Sequence, residues 1–350
     1  MQVMVPDYLV DYLLPRMRPF DSALELLPIS AEGHYEGGLE RLEVFFRFYP
    51  DNRFPRVYGA EVLREILKGA PRLRWFHNGK AGVEDVLIPE LVASDVLLTN
   101  GAGAPRRAIA ETVLAFILAD AKALPAHFWA QQAHRWEHQD HRELPGLTVA
   151  ILGLGRIGLE IARLCHALEM RVIGTKRTLS GEPLPGVDEA FPAERQEECV
   201  AQADYVVVAA ALTPETRGMV NGSTFEAMRP EAALINVSRG GLVDEPALVE
   251  ALRSRKMRAA YLDVFVREPL PPDSPLFSLP NVVITPHNSP YSQNVMDHMV
   301  GVFVENFRRY CVGEPLANVV NKRAGVTVHT ASTVGASDRH VTRSGVLGRE

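Results

Sequence analysis

Three cysteines in 350 residues, Cys165, Cys199 and Cys311, are too few and too widely spaced to frame a disulfide scaffold. They read as reduced thiols, and their helix-like contexts suit small core hydrophobes. Long apolar runs are missing too. None approaches the ~20 residues needed to span a bilayer, so a membrane is not an expected partner. Basic runs are absent, and 37 Lys+Arg against 43 Asp+Glu leave a formal net charge of −6. That balance does not suit nucleic acid or an anionic membrane surface. The opening MQVMVPDYLVDYLLPRMRPF breaks its apolar residues with acids and prolines and has no basic leader, so it is not expected to serve as a signal peptide. There is no solenoid-type repeat and no dominant low-complexity tract. These exclusions leave a cytoplasmic globular protein whose length suggests two domains.

What is present is an alternation of short apolar strands with helical patterns, the mark of a parallel sheet covered on both faces. Strand-like runs are VAIL, RVIGTK, ADYVVVAAAL (Ala203–Leu212), AALINVS (Ala232–Ser238), AAYLDVF (Ala259–Phe265) and NVVITPH (Asn281–His287). The run EPALVEALRSRK (Glu245–Lys256) reads as a helix with Pro246 in its first turn. These pieces predict a doubly wound α/β domain over 104–287. Before it, LEVFFRFYP and ASDVLLTN read as strands and GAEVLREILKGAP as a helix ending at Gly69. A helix from Ala108 is expected to kink or break at Pro125. After His287, SQNVMDHMVGVFVENFRRYCVG has helical spacing and can return to the first domain, giving a discontinuous domain of 1–103 plus 288–323. Residues 324–350, rich in Gly, Ser and Thr, read as a flexible tail. His134, His138 and His141 have a spacing that can align imidazoles on one helix face, but a solvated helix end is the preferred reading and no metal is expected.

The triplet Gly153-x-Gly155-x-x-Gly158 follows the strand TVAIL and opens a helix. The first glycine permits a tight turn, the second admits a pyrophosphate, and the third lets helix and strand approach. With Arg156 and Ile157 at the helix start, free N–H groups face the phosphates. Strand, turn and helix in this order make dinucleotide binding the favoured reading. Where the next strand ends, an acid commonly holds the adenosine ribose; here Lys176 and Arg177 stand, followed by Thr178. Cations there attract a 2′-phosphate, so NADP(H) is favoured, with NAD(H) possible. The alternative is two solvated cations that merely follow a strand.

Three further strand ends each carry one reactive side chain: Arg239 in NVSRGGLVDE, Glu268 in LDVFVREPL and His287 in TPHNSP. With GLGRIG, LTPETRGMVN, ALINVSRGGLVDEPALVEAL, YLDVFVREPLPPDSPLFSLPNVVITPH and the earlier LLTNGAGAPRRAIAETVLAFILA, the chain from about Trp75 to Asn321 resembles the D-isomer-specific 2-hydroxyacid dehydrogenases. That resemblance implies two doubly wound α/β domains, a Rossmann domain inserted in a flavodoxin-like substrate domain. It implies a homodimer through the long helix after Gly103, and a small 2-keto or 2-hydroxy acid as substrate, in the manner of glyoxylate/hydroxypyruvate reductases. It assigns His287 as general acid/base, Glu268 as the carboxylate that orients the imidazole, and Arg239 as the cation that binds substrate. It places Ala81 and Gly82, in the loop NGKAGVE, at the substrate carboxylate, and Ala210, Val237 and Asp263 along the cofactor. The chemistry suits the residue types: hydride delivered to a keto carbon needs a proton at the oxygen, and imidazolium supplies one near neutral pH. Three departures from the family pattern are Lys176 in place of an acid, Lys80 in the substrate loop and HNSP after the histidine. A nucleotide-sensing co-repressor on the same fold is the alternative from another class, and formate or phosphite oxidation the alternative within enzymes.

Overall fold

The computed structural model describes residues 1–50, 57–179 and 181–328. The chain divides into two compact units, Gly103–Met299 and a discontinuous one made of Met1–Ala102 with the chain from Val300. The sequence-based boundary at His287 therefore moves to Met299.

The discontinuous unit contains strands β1 (Gln2–Pro6), β2 (Glu25–Ile29), β3 (Leu42–Arg47), β4 (Trp75–Asn78) and β5 (Leu97–Asn100). Its helices are α1 (Val10–Met17), α2 (Ala60–Gly69) and α3 (Pro89–Ala93). The second unit carries helices α4 (Arg106–Ala121), α5 (Leu124–Gln132), α6 (Arg156–His166), α7 (Gln196–Val200), α8 (Gly222–Ala227) and α9 (Glu245–Arg253). Its strands are β6 (Thr148–Leu152), β7 (Arg171–Lys176), β8 (Glu189–Pro192), β9 (Tyr205–Val208), β10 (Ala233–Asn236), β11 (Ala259–Leu262) and β12 (Val282–Ile284). Helix α10 (Val295–Cys311) contains the boundary, and β13 (Val319–Asn321) and β14 (Val326–Val328) complete the first unit.

The second unit's sheet runs β12-β11-β10-β9-β6-β7-β8, with every pairing parallel. The interiors of its central strands are apolar because both faces are covered. Ala150, Leu152, Val206, Val208 and Leu234 enter one core, and Val149, Ile151, Val207, Ala233 and Ile235 enter the other. Alternate residues thus feed opposite faces, as a pleated strand requires. The order reverses between β6 and β9, the point at which such sheets bind dinucleotides. The discontinuous unit reads β14-β13-β5-β4-β3-β1-β2, with the flavodoxin-like order 2-1-3-4-5 inside it. One face there is sealed by aromatic rings: Phe46 stacks on Phe303 at 4.1 Å between centroids, and Trp75 on Phe303 at 5.3 Å.

Several expectations are corrected. The long helix breaks at Ala123, in a left-handed conformation (φ +51°), and Pro125 sits in the first turn of α5 rather than at a kink. Helix α5 ends at Gln132, so His134, His138 and His141 lie beyond it and share no helix face. Cys165 and Cys199 are buried, but Cys311 is only partly so. The presumed tail is structured at its start: β14 pairs antiparallel with β13, Val320 opposite Thr327, across a turn in which the Asn321 side chain accepts from the N–H groups of Arg323 and Ala324. Residues 329–350 lie outside the described residues.

Candidate active site

At the end of β6 the chain turns through Gly153 and enters α6 at Arg156. A Cβ at Gly158 would lie 2.1 Å from the Gly153 carbonyl oxygen, so only glycine lets the helix seat here. At Gly155 a Cβ would meet nothing within 4 Å, which leaves open space in front of the turn and the helix N-terminus. This cradle fits a dinucleotide diphosphate. Ile157 packs against the core. The Arg156 side chain lies over Gly103, where a Cβ would come 2.8 Å from its Cδ. Burial and then the neighbouring charge of Arg106 lower the Arg156 pKa. Strand β7 ends at half-exposed Lys176, and Arg177 and Thr178 are exposed beyond it. The charge of Arg177 reaches Glu215: a hydrogen bond from Thr213, its own backbone N–H and then that charge hold its carboxyl below the usual range.

The strand ends that follow are tied to one another. Ser238 Oγ donates to the Ala210 carbonyl at 2.5 Å, joining the β10 loop to the β9 loop. Buried Asn236 shapes the turn that presents Arg239, donating to its carbonyl at 3.1 Å and accepting from the Ser238 N–H at 3.1 Å. Val237 is buried beside it. Arg239 itself reaches the Ser238 carbonyl at 2.8 Å. A Cβ at Gly240 would fall 1.9 Å from the Phe265 carbonyl carbon, so the Arg239 loop rests directly on the backbone leading to Glu268.

Glu268 accepts from the Phe265 N–H at 2.9 Å and from His287 Nδ1 at 2.7 Å. Burial opposes its charge, but these two hydrogen bonds and the positive charge of His287 and Arg239 prevail and hold the carboxyl below its usual value. With Nδ1 directed to the carboxylate, Nε2 is the nitrogen left to face a reactant. Buried Asp263, at the end of β11, accepts from Thr285 Oγ1 at 2.5 Å and from the N–H groups of Asn288 and Ser289 at 2.8 and 3.0 Å. The His287 N–H donates to the Asp263 carbonyl at 2.7 Å. These bonds hold His287 in a left-handed conformation (φ +52°) that costs a non-glycine residue energy unless its surroundings impose it. Arg239, Glu268 and His287 thus come together, and Asp263 spends both carboxylate oxygens on the histidine loop.

In the other unit, Ala81 and Gly82 lie in the loop after β4. Asn78 and Asn100 face each other across β4 and β5. Asn78 Nδ2 donates to the Gly82 carbonyl at 2.6 Å, Asn100 Nδ2 to the Ala81 carbonyl at 2.6 Å, and the Gly101 N–H to the Lys80 carbonyl at 3.1 Å. A trans peptide points its N–H opposite its C=O, so the N–H groups of Ala81, Gly82 and Val83 are turned away from the asparagines as a row of donors.

The family described as D-isomer specific 2-hydroxyacid dehydrogenase, NAD binding domain, matches residues 114–289. Glyoxylate/hydroxypyruvate reductase B of Pectobacterium atrosepticum is 34% identical over 271 residues, covering 75% of this chain and 83% of that protein. The chain belongs to the D-isomer-specific 2-hydroxyacid dehydrogenase family. D-3-phosphoglycerate dehydrogenase of Methanocaldococcus jannaschii is 29% identical over 86% of the chain. The chain spans only 57% of that protein's length, and about half of the corresponding one from Archaeoglobus fulgidus. Among solved structures, a D-isomer specific 2-hydroxyacid dehydrogenase from Xanthobacter autotrophicus Py2, in complex with NADPH and MES, aligns with a TM-score of 0.78 at 31% identity, covering 93% of this chain and 98% of that one.

Beyond the motifs of a 2-hydroxyacid dehydrogenase, the structure adds residues that the sequence left unmarked: Asn78, Asn100, Asn236, Ser238, Arg106 and Glu215. The four that shape loops do so through side-chain bonds to backbone, which leave no spacing pattern to read. Among the described residues no cluster of three or more His, Cys, Asp or Glu is arranged to hold a metal ion. The segment after α4 also stands out. Its base is clamped where buried Asp120 meets Arg142 at 3.2 Å, Tyr205 Oη at 2.7 Å, Tyr261 Oη at 3.0 Å and Arg258. Its apolar side chains face outward, with Phe128 62%, Trp129 64% and Trp136 94% exposed.

Proposed function

We propose that this chain reduces small 2-keto acids to D-2-hydroxy acids, glyoxylate and hydroxypyruvate among them, and prefers NADP(H) to NAD(H). The observation that carries the reading is the 2.7 Å bond from His287 Nδ1 to a charged Glu268, within the field of Arg239. NADPH, when bound, supplies the hydride. The turn 153–158 would hold its diphosphate, Ala210 and Val237 its nicotinamide half, and Lys176 and Arg177 the 2′-phosphate. Glu268 stabilises the imidazolium and fixes its plane, so that His287 Nε2 delivers a proton to the keto oxygen in reduction and accepts it in oxidation. Arg239 offers a planar donor fork to the substrate carboxylate and steadies negative charge growing on the carbonyl oxygen. The donor row at Ala81–Val83 serves the carboxylate of the substrate. The reductase named from Pectobacterium and the NADPH in the Xanthobacter structure support the substrate class and the cofactor.

The exposed aromatic segment after α4 supports a homodimer, and the three free thiols suit the cytoplasm. Among the described residues no helix is long and apolar enough to cross a membrane. The test is turnover of a panel of 2-keto acids with NADPH and NADH. His287→Gln should lower kcat by ~10²–10⁴ while NADPH still binds. Unchanged turnover in that variant would remove the histidine from the mechanism.

A further inference from the structure

The middle residue of strand β14 touches the wall of the substrate loop. Thr327 Oγ1 accepts from Asn100 Nδ2 at 3.1 Å and lies 3.3 Å from Asn100 Oδ1, to which it can donate. The same Asn100 Nδ2 holds the Ala81 carbonyl at 2.6 Å. Asn100 is fixed at its backbone as well, because Asn318 Nδ2 donates to its carbonyl at 3.0 Å and its N–H donates to the Asn318 carbonyl at 3.2 Å. The backbone bonds set where Asn100 sits. Its side-chain torsion is set by the Ala81 carbonyl, the Ala102 N–H at 3.2 Å and the threonine hydroxyl. Removing the hydroxyl leaves the amide with fewer partners, and the peptide joining Ala81 to Gly82 loses part of its constraint. That peptide carries one of the N–H groups in the donor row.

We propose that Thr327 is a positioning residue for substrate: through Asn100 it holds the Ala81–Gly82 peptide so that its N–H meets the substrate carboxylate. This rests on the reading that the loop binds that carboxylate. The strand is kept in register by Val320 opposite Thr327, and the preceding turn is anchored by Lys322 Nζ, which donates to the carbonyls of Leu91, Ser94 and Val96. A lysine spent on three carbonyls fixes the hairpin independently of the hydroxyl, so Thr327→Val should keep the strand.

The experiment uses the full chain with glyoxylate and NADPH, comparing Thr327→Val, Thr327→Ser and Asn78→Ala. Thr327→Val should raise the KM for glyoxylate about fivefold, as loss of one hydrogen bond implies, with kcat and the KM for NADPH within about twofold. Thr327→Ser should restore the wild-type value. Hydrogen exchange of the amides in 79–83 should quicken in Thr327→Val and not in Thr327→Ser, a readout that does not depend on turnover. Wild-type KM and exchange in Thr327→Val would overturn the proposal, as would a serine variant that behaves like valine. Asn78→Ala separates the two readings. If it raises the glyoxylate KM while Thr327→Val does not, the loop binds substrate and the threonine has no part. If neither variant moves that KM, the loop reading fails.

Discussion

Lys176 and Arg177 bear on a choice between two dinucleotides that differ by one phosphate. Two charge-assisted bonds to that phosphate imply that replacing both residues by alanine raises the KM for NADPH roughly 10–100-fold. The KM for NADH should stay within about threefold, since its ribose offers only hydroxyls at that place. Steady-state kinetics with both nucleotides decides it, and equal movement of the two values would sink the assignment. At this scale the reactive side chains were legible because each stands in a local motif at a strand end, where a ligand is expected. Glu215 was not legible. It comes within the field of Arg177 only through folding, from a loop 38 residues further along the chain. The asparagines 78 and 100 were hidden for a similar reason, since an amide that shapes a loop looks in sequence like any polar residue after a strand.

Between elements, the decisive contact is the close approach of the β10 loop to the β11 loop at Gly240. A methyl group there collides with the Phe265 backbone, which has no flexible end to move aside. Gly240→Ala should therefore cost about 1–3 kcal/mol, the usual range for overpacking, and lower kcat/KM more than tenfold by displacing Arg239 from Glu268. Gly301→Ala is the control, because a Cβ there meets nothing within 4 Å and alanine is the better helix former. Denaturation midpoints and kinetics of the two variants check this; an unaffected Gly240→Ala would mean that the loops are not locked together. Helices were easier to read than their ends. The pattern from Ala108 was right for α4, but a left-handed Ala123, rather than Pro125, makes the break. The β13–β14 hairpin went unread because each strand has only three residues, too few for an alternation to stand out from the polar stretch that follows.

For the molecule as a whole, the segment from α5 to His141 is held firmly at its base by Asp120 and Arg142 while Phe128, Trp129 and Trp136 face outward. Large apolar side chains so placed imply a partner surface, and a second copy of the chain fits the homodimer proposed above. Phe128→Glu together with Trp129→Glu should convert the dimer to monomer in sedimentation velocity, with the dinucleotide domain still folded by circular dichroism. A wild-type chain that sediments as a monomer at micromolar concentration would end that reading. The sequence by itself determined the class of the molecule, because strand periodicity, the glycine turn and the reactive strand ends are local patterns that survive without knowledge of contacts. It also singled out Arg239, Glu268 and His287, the side chains proposed above to carry the chemistry. Only the tertiary structure decided the order of the two sheets, the capture of His287 by Asp263, the asparagine pair behind the 79–83 loop and the engagement of β14. Each of these depends on residues far apart in the chain meeting at hydrogen-bond distance, and no spacing along a sequence records such a meeting.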